Sequence, residues 1–410
     1  MTSAVPQQVI LALDGGKPLR TALFAQWPYY EFDEIEAVKQ VLASGRTNYW
    51  TGDECTLFET DYAAYCGRRH AIALANGSVA LELALLAFGI GLGDEVITSC
   101  RTFIASASCA VLRGATPVFT DIDPVSQNLT VDSIRTALTP RTKAIIVVHL
   151  AGWPCDMDPI MELARAHHLV VIEDCAQAHG ATYKGRSVGG FGDAAAFSFC
   201  QDKIITTGGE GGMLLLDNEV AWRKAWDYKD HGKSYDTAFQ REHPPGFRWL
   251  HESFGTNWRM TEMQAVLGRL QLAKLPHWVA KRQDLAGLLT DGFAALPGIR
   301  VTRPGADIGH SYYKYYAFLE PDRLGPGWNQ DRVIAAINAE GIPCIYGSCS
   351  EIYLEKAFVS AGLAPATRLP VAQRLSTTSL CFPLHPTLTS VDMHDVCAAV
   401  AKVMSAATRQ

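Results

Sequence analysis

Short apolar runs alternate with helical patterns between about Arg69 and Asp217, and this alternation limits the fold more than any other feature. Runs such as KAIIVVHL and LVVIEDC are almost continuously apolar, as a strand must be when helices cover both faces of its sheet. Several of these runs lead into a helical stretch before the next run begins, and this strand-helix-strand order makes most of the strands parallel. We therefore predict an α/β layer whose ligands bind beyond the carboxyl ends of the strands.

A second pattern starts near Gly298, where strand and helix signals resume in YYKYYAFLE, DRVIAAINAEGIPCIYG and VDMHDVCAAVAKVM. Before it come an apparent loop from Asp227 to Arg259 and a long helical run, TEMQAVLGRLQLAKLPHWVAKRQDLAGLLTDGFAAL. These changes predict a large domain over residues 1–275, opened by an N-terminal arm of about 1–30, and a smaller α+β domain over 276–410.

Charge and cysteine usage exclude several classes of function. The net charge is -6 and the chain has no basic run, so we expect no binding of nucleic acid or of an anionic membrane. No leader pattern and no apolar stretch of membrane-spanning length is present. Eleven cysteines are scattered without a CxxC pair, which predicts reduced thiols, no metal site and a cytoplasmic protein.

Two opposite charges follow strands of the predicted sheet. Asp174 ends VVIEDC, and Lys203 lies beyond AAAFSF and before the glycines of TTGGEGG. Asp174 alone could cap a helix, and the two residues together could form a structural ion pair. A lysine beside glycines is also a common nucleophile. An amine reacts only when it is neutral, and an aldehyde cofactor would hold the nitrogen as a Schiff base.

The turn Asn76-Gly77-Ser78 stands between a predicted strand and a predicted helix. Backbone amides at a helix N-terminus and the Ser78 hydroxyl can bind a phosphate, although Ser78 could simply cap the helix. Ser198 alternates with two phenylalanines and could add a second phosphate donor.

Two more side chains near these strand ends could contact a flat ring. Phe103 in CRTFIASA could stack on its face, although an aromatic residue at a strand end is often part of the core. Gln177, three residues beyond Asp174, could donate to a ring hydroxyl.

Taken together, these segments resemble the DegT/DnrJ/EryC1/StrS family of sugar aminotransferases, which use pyridoxal phosphate on the type I, aspartate aminotransferase fold. The resemblance covers nearly the whole chain. It includes NYWTGDECTLFE, the NGS turn before ALELAL, GLGDEVITSCRTFIASA, VIEDCAQAHGA, FSFCQDKIITTGGEGGM, DHGK and GTNWRM.

The resemblance implies roles for individual residues. Lys203 would carry the cofactor as a Schiff base, and Asp174 would keep its ring nitrogen protonated. The remaining implied cofactor contacts are Gly77, Ser78 and Ser198 at the phosphate, Phe103 on the ring face, Gln177 at the 3-hydroxyl, and Asn257 reaching the phosphate from the neighbouring subunit. The last contact implies a homodimer with shared active sites. His231, Arg259 and Tyr346 are candidate substrate contacts, and His231 and Arg259 could instead be structural.

The implied reaction has two halves. Glutamate or glutamine would give its amino group to the cofactor, and the resulting pyridoxamine phosphate would aminate a keto sugar, which the resemblance implies is a nucleotide-linked keto-deoxysugar used for polysaccharide. A dehydratase subgroup carries histidine at the Schiff-base position, so Lys203 favours amino transfer. Three alternatives remain open: a cyclitol aminotransferase of the scyllo-inosose type, an aminoshikimate-type synthase, and a non-catalytic regulator that binds the cofactor.

Overall fold

The computed structural model describes residues 10–243, 245–246 and 248–409. In chain order its helices and strands are α1 Phe32–Ser44, α2 Glu54–Cys66, β1 His70–Leu74, α3 Gly77–Ala87, β2 Glu95–Ser99, α4 Ala105–Leu112, β3 Thr116–Thr120, α5 Val131–Ala137, β4 Thr142–Val148, α6 Met157–Ala166, β5 Val170–Asp174, β6 Thr182–Tyr183, β7 Arg186–Ser187, β8 Ala194–Ser198, β9 Gly212–Leu216, α7 Glu219–Lys229, α8 Tyr235–Phe239, α9 Glu262–Ala294, β10 Ile299–Val301, β11 Ile308–Gly309, β12 Lys314–Leu319, α10 Gln330–Ala339, α11 Lys356–Ser360, α12 Pro370–Ser376, β13 Ser379–Pro383 and α13 Ser390–Ala407.

The central sheet has seven strands in the order β1-β9-β8-β5-β4-β2-β3. All pairs are parallel except the two made by β9, which runs opposite to β1 and β8. Every residue of β2 and β9 is buried, because helices cover both faces, as the continuous apolar runs require. The predicted α/β layer with a mostly parallel sheet is confirmed.

The strand order brings the predicted chemistry to one edge. Strands β5 and β8 are neighbours, with Asp174 in register with Ala196, and both end at the same side of the sheet. Lys203 follows β8 by a few residues, and the turn before α3 follows β1, one strand beyond β9. Parallel strands thus place these three segments together.

Helix α9 links two hydrophobic cores. Its first half packs Leu272, Leu275 and Val279 into the core under the central sheet. Its second half contributes Leu289 and Phe293, among others, to a separate core. The division at residues 275 and 276 remains a prediction.

The second core lies under a three-stranded antiparallel sheet, β10-β12-β13, with α10 and α13 against it. This is the smaller α+β unit that the sequence pattern predicted. A third small sheet, β11-β6-β7, joins Tyr183 in the first unit to Ile308 beyond α9.

Two irregular segments differ from regular helices and strands: the stretch from Asp227 to Arg259 and the N-terminal arm. The stretch from Asp227 to Arg259 is mostly loop, but α7 continues into it and α8 forms within it, so the prediction of continuous loop was wrong there. The first nine residues of the predicted N-terminal arm lie outside the described residues. Further along that arm, the backbone amides of Ala12 and Leu19 donate to the Glu340 carboxylate.

None of the helices described is both long enough and apolar enough to cross a membrane.

Candidate active site

Asp174 is a buried carboxylate at the last position of β5. Its Oδ2 accepts from the Ser106 hydroxyl at 2.6 Å, and its Oδ1 accepts from the Ala176 amide at 3.1 Å. Burial raises the pKa of this carboxyl above its ordinary value, against the lowering effect of Ser106. The chain turns after β5 without starting a helix, so the helix-capping alternative is wrong. Among the described residues no cation forms an ion pair with it.

Lys203 places its amine against a tyrosine from the smaller unit. Its Nζ donates to the Tyr313 hydroxyl at 3.2 Å and lies 3.4 Å from Asp202 Oδ1. The Tyr313 hydroxyl in turn donates to Asp202 Oδ2. Partial burial opposes ionisation of Asp202, but the charge of Lys203 and the tyrosine hydroxyl outweigh it and hold the pKa of Asp202 below its ordinary value. The ion-pair partner of Lys203 is therefore Asp202, and the alternative of an Asp174 pair is wrong.

The predicted phosphate turn opens α3. The Asn76 side chain accepts from the Val79 amide at 3.0 Å and so caps this helix. The alternative that Ser78 is the cap is therefore wrong. Ser78 is exposed in the first helical turn, where its hydroxyl and the free amides of the helix end can meet an anion.

Gly77 and Ser198 are in contact at this turn. A Cβ on Gly77 would lie 2.6 Å from the Ser198 Cβ, and a Cβ on Gly212 would collide with the carbonyl of Asn76. The two glycines thus let the start of α3 approach the ends of β8 and β9. Their spacing brings Gly77, Ser78 and Ser198 to one place, as predicted.

The two predicted ring contacts lie on the same sheet edge. Phe103 is 66% exposed, so the alternative that it belongs to the core is wrong. The Gln177 Oε1 accepts from the Ala151 amide at 2.8 Å, which orients the side chain and leaves its NH₂ group as the donor.

Arg259 lies in an ion cluster around Asp230. Its Nη1 donates to Asp230 Oδ1 at 2.7 Å, and Lys233 Nζ donates to the same oxygen at 2.8 Å. Trp50 Nε1 donates to Asp230 Oδ2 at 3.0 Å. These contacts support the structural alternative for Arg259.

The other two candidate residues from the DHGK and GTNWRM motifs, His231 and Asn257, are on the surface. The His231 backbone has a φ of 62° and its amide donates to the Thr256 carbonyl. Asn257 is exposed and forms a bridge with Asp230. Tyr346 lies in the smaller unit, half exposed, with its hydroxyl donating to Asp331 at 3.1 Å.

One buried group has the composition of a metal site. The ligand atoms of His149, Glu173 and Cys175 lie within 4.8 Å of one another. The Glu173 carboxylate already accepts from the amides of Gly189, Phe191 and Gly192 and contacts His149 Nε2. These hydrogen bonds give the Glu173 carboxylate a structural role, because they join β5 to the loop that contains Gly189, Phe191 and Gly192.

Sequence reasoning missed Ser106, Asp202 and Tyr313. Asp202 precedes Lys203 directly, so its position was the available signal. Ser106 and Tyr313 lie far along the chain from their partners, and no local pattern marks them.

Two curated relatives share most of their length with this chain. GDP-perosamine synthase of Caulobacter vibrioides is 40% identical over 352 residues, which are 85% of this chain and 89% of the relative. The L-glutamine:2-deoxy-scyllo-inosose aminotransferase of Streptoalloteichus tenebrarius is 36% identical over 424 aligned positions, covering 97% of this chain and 98% of the relative.

Solved structures share the fold. The X-ray structure of an aminotransferase from Psychrobacter cryohalolentis is 54% identical, with a TM-score of 0.91 over 93% of this chain and 99% of that chain. The PMP form of a putative sugar aminotransferase from Streptococcus pneumoniae is 26% identical, with a TM-score of 0.84 over 94% and 100% of the two chains.

The family model of the DegT/DnrJ/EryC1/StrS aminotransferases matches residues 28–401. The match spans both units of the fold and every candidate site residue. The family and its solved structures imply dependence on pyridoxal phosphate. The chain therefore belongs to the DegT/DnrJ/EryC1/StrS aminotransferase family and is an aminotransferase of the type I fold.

Proposed function

We propose that this aminotransferase holds pyridoxal phosphate on Lys203 and transfers an amino group from glutamate or glutamine to a nucleotide-linked keto sugar. The observation that carries the proposal is one sheet edge that combines an amine, a buried carboxylate and an anion-binding turn. Lys203, Asp174 and the start of α3 supply these three groups.

The residues present fit the cofactor. Asp174 is buried and paired only with neutral donors, so a protonated ring nitrogen would supply the charge partner that a buried carboxylate needs. The close contact of Gly77 with Ser198 leaves two hydroxyls and the amides of α3 to hold a phosphate. The exposed Phe103 ring and the Gln177 NH₂ group would contact the ring itself.

The cofactor, when bound, supplies an electron sink for the substrate carbon. Asp174 would keep the ring nitrogen of the cofactor protonated. As a free amine, the Lys203 Nζ would move a proton between the substrate carbon and the cofactor carbon, first as a general base and then as a general acid. The Tyr313 hydroxyl and Asp202 hold that Nζ in position.

The relatives support two classes of acceptor. Similarity to GDP-perosamine synthase favours a nucleotide-linked keto-deoxysugar used for polysaccharide. Similarity to the scyllo-inosose aminotransferase keeps a cyclitol ketone as the second candidate.

We also propose a homodimer in which Asn257 contacts the partner's cofactor phosphate. Exposed aromatic side chains support such an interface: Trp249 is 86% exposed and Phe254 is 99% exposed, and apolar groups of this size are usually covered. The eleven free thiols support a reducing compartment, the cytoplasm.

The test is a screen of the two half-reactions. Protein loaded with pyridoxal phosphate is mixed with glutamate or glutamine, and the aminated protein is then offered nucleotide-linked 4-keto and 3-keto sugars and scyllo-inosose. We expect a new amino sugar, identified by NMR. Amination of scyllo-inosose alone would establish the second candidate, and no product from either donor would refute the proposal.

A further inference from the structure

Two lysines approach one tyrosine ring beside the proposed reaction centre. Lys203 Nζ lies 4.8 Å from the centroid of the Tyr313 ring, and Lys314 Nζ lies 4.7 Å from the same centroid. Lys203 also has Asp202 and the tyrosine hydroxyl as partners. Lys314 follows Tyr313 directly and begins β12.

Within the described part of the chain, the Lys314 ammonium makes no hydrogen bond and no ion pair. Its ring contact is with Tyr313, and the nearby Asp202 carboxylate, which is bound to Lys203 and Tyr313, acts on Lys314 only through its charge. The residue is half-buried, and burial lowers its pKa below the ordinary value. A partly desolvated cation that lacks a hydrogen-bond acceptor can bind an anionic ligand favourably.

Two cations, Arg282 and Lys203, and one carboxylate, Asp202, act on the charge of Lys314. The buried Arg282 guanidinium donates to the backbone carbonyls of Tyr312 and Leu384, and no carboxylate pairs with it among the described residues. Burial, with Arg282 and Lys314, lowers the pKa of His385 to about 3. Asp202 is the acidic group close to these cations and already binds Lys203 and Tyr313.

We propose that Lys314 binds a carboxylate of the amino-acid donor. The inference rests on the proposed function, which supplies a donor that carries its carboxylates and its amine on one small molecule. The cofactor phosphate has a separate site at the start of α3. An anion on Lys314 shares Tyr313 with the Lys203 amine, so the donor is held where its amine can react.

The test measures binding of glutarate, a dicarboxylate without an amine, and of glutaramide, its neutral analogue. Calorimetric titrations use the full-length, cofactor-loaded protein and its variants Lys314→Gln and Lys314→Arg. Lys143→Gln is the matched control, because Lys143 is exposed on β4. We expect the glutarate Kd to rise about tenfold in Lys314→Gln, the effect of losing one charged hydrogen bond. Glutaramide binding, Lys314→Arg and Lys143→Gln should stay near the wild-type values.

Kinetics add a second readout. The KM for glutamate should rise about tenfold in Lys314→Gln with kcat little changed, and the KM for the keto sugar should not move. An unchanged glutarate Kd, no glutarate binding by the wild type, or a loss confined to the keto sugar would overturn the inference. If glutarate binding depends on Lys314 but no amino transfer occurs, the anion site stands and the proposed function fails.

Discussion

The side chains of Asp174 and Lys203 have different electrostatic environments. The Asp174 carboxylate is buried and accepts hydrogen bonds from the Ser106 hydroxyl and the Ala176 amide, and burial raises its pKa. Lys203 faces a carboxylate at 3.4 Å. Asp174 is therefore suited to keeping a proton on a neighbouring group, and Lys203 is suited to taking up and releasing a proton.

Replacing Asp174 by asparagine keeps the shape of the side chain and removes its charge. We expect Asp174→Asn to slow amino transfer about a thousandfold, equivalent to about 4 kcal/mol of barrier. Ser106→Ala, which removes only one hydrogen bond to Asp174, should slow it about tenfold. Single-turnover rates on cofactor-loaded protein check both, with Asp158→Asn as a surface control. A wild-type rate in Asp174→Asn would contradict the assigned role.

Among single residues, the sequence predicts those site residues that are marked by their immediate neighbours in the chain. Lys203 precedes a glycine run and Asp174 ends an apolar run, so both were predicted from their neighbours. Tyr313 is 110 residues from Lys203 along the chain. It directly precedes the tyrosine-rich strand β12, where nothing in the sequence separates a site residue from a core residue. Only the packing of the two units reveals its contact with Lys203.

Among the elements, helix α9 shows what periodicity and capping can predict. The Thr261 side chain accepts from the Gln264 amide and forms a capping box, and the apolar pattern continues to Ala294. By contrast, α8 has five residues and β6, β7 and β11 have two each. Elements this short carry no detectable period.

Two glycines of α9 provide a matched pair of substitutions. A Cβ on Gly287 meets nothing within 4 Å, whereas one on Gly268 would collide with the Phe58 ring of α2. We expect Gly287→Ala to raise the free energy of unfolding by about 0.5–1 kcal/mol through helix propensity. Gly268→Ala should lower it by about 1–3 kcal/mol through overpacking. Urea unfolding curves test this, and the opposite order would show that the two helices pack differently.

Helix α7 ends on a buried lysine that should make stability depend on pH. Lys229 Nζ lies 3.5 Å from the centroid of the Tyr49 ring and makes no hydrogen bond. Burial lowers the pKa of Lys229 to about 8, against the raising effects of Glu59 and Asp230. Between this value and the unfolded value of 10.5 the unfolded chain binds more protons, so stability rises with pH in that window.

We expect Lys229 to contribute a rise of about 2 kcal/mol in unfolding free energy between pH 8 and pH 10. Lys229→Met should lose this rise, and Lys143→Met should keep it. Urea titrations at the two pH values measure the difference. Equal slopes for wild type and Lys229→Met would mean that the amine is not held in the environment described.

For the whole molecule, the parallel sheet and the second unit were predictable because each depends on the order of apolar runs along the chain. How the second unit packs on the first was not predictable. The contact of Tyr313 with Lys203 depends on that packing. Within the first unit, the donation of Trp27 Nε1 to the Lys203 carbonyl at 2.9 Å joins two segments far apart along the chain and was not predictable either.

A shared active site predicts complementation between two inactive variants. Lys203→Ala and Asn257→Ala should each be poorly active alone. After mixing and subunit exchange, a heterodimer has one site with both native residues, so about a quarter of all sites should be restored. Activity recovered in the mixture would confirm sites built from two chains. A mixture no more active than its components, with subunit exchange verified by mass, would refute them.

The central claim is that Lys203 carries the cofactor, and borohydride trapping tests it most directly. Wild-type protein and Lys203→Ala are incubated with pyridoxal phosphate, reduced, digested and mapped by mass spectrometry. We predict one modified peptide in the wild type, containing Lys203, and none in the variant. A reduced cofactor on Lys314 or another lysine of the wild-type protein, or stoichiometric labelling of Lys203→Ala, would contradict the account.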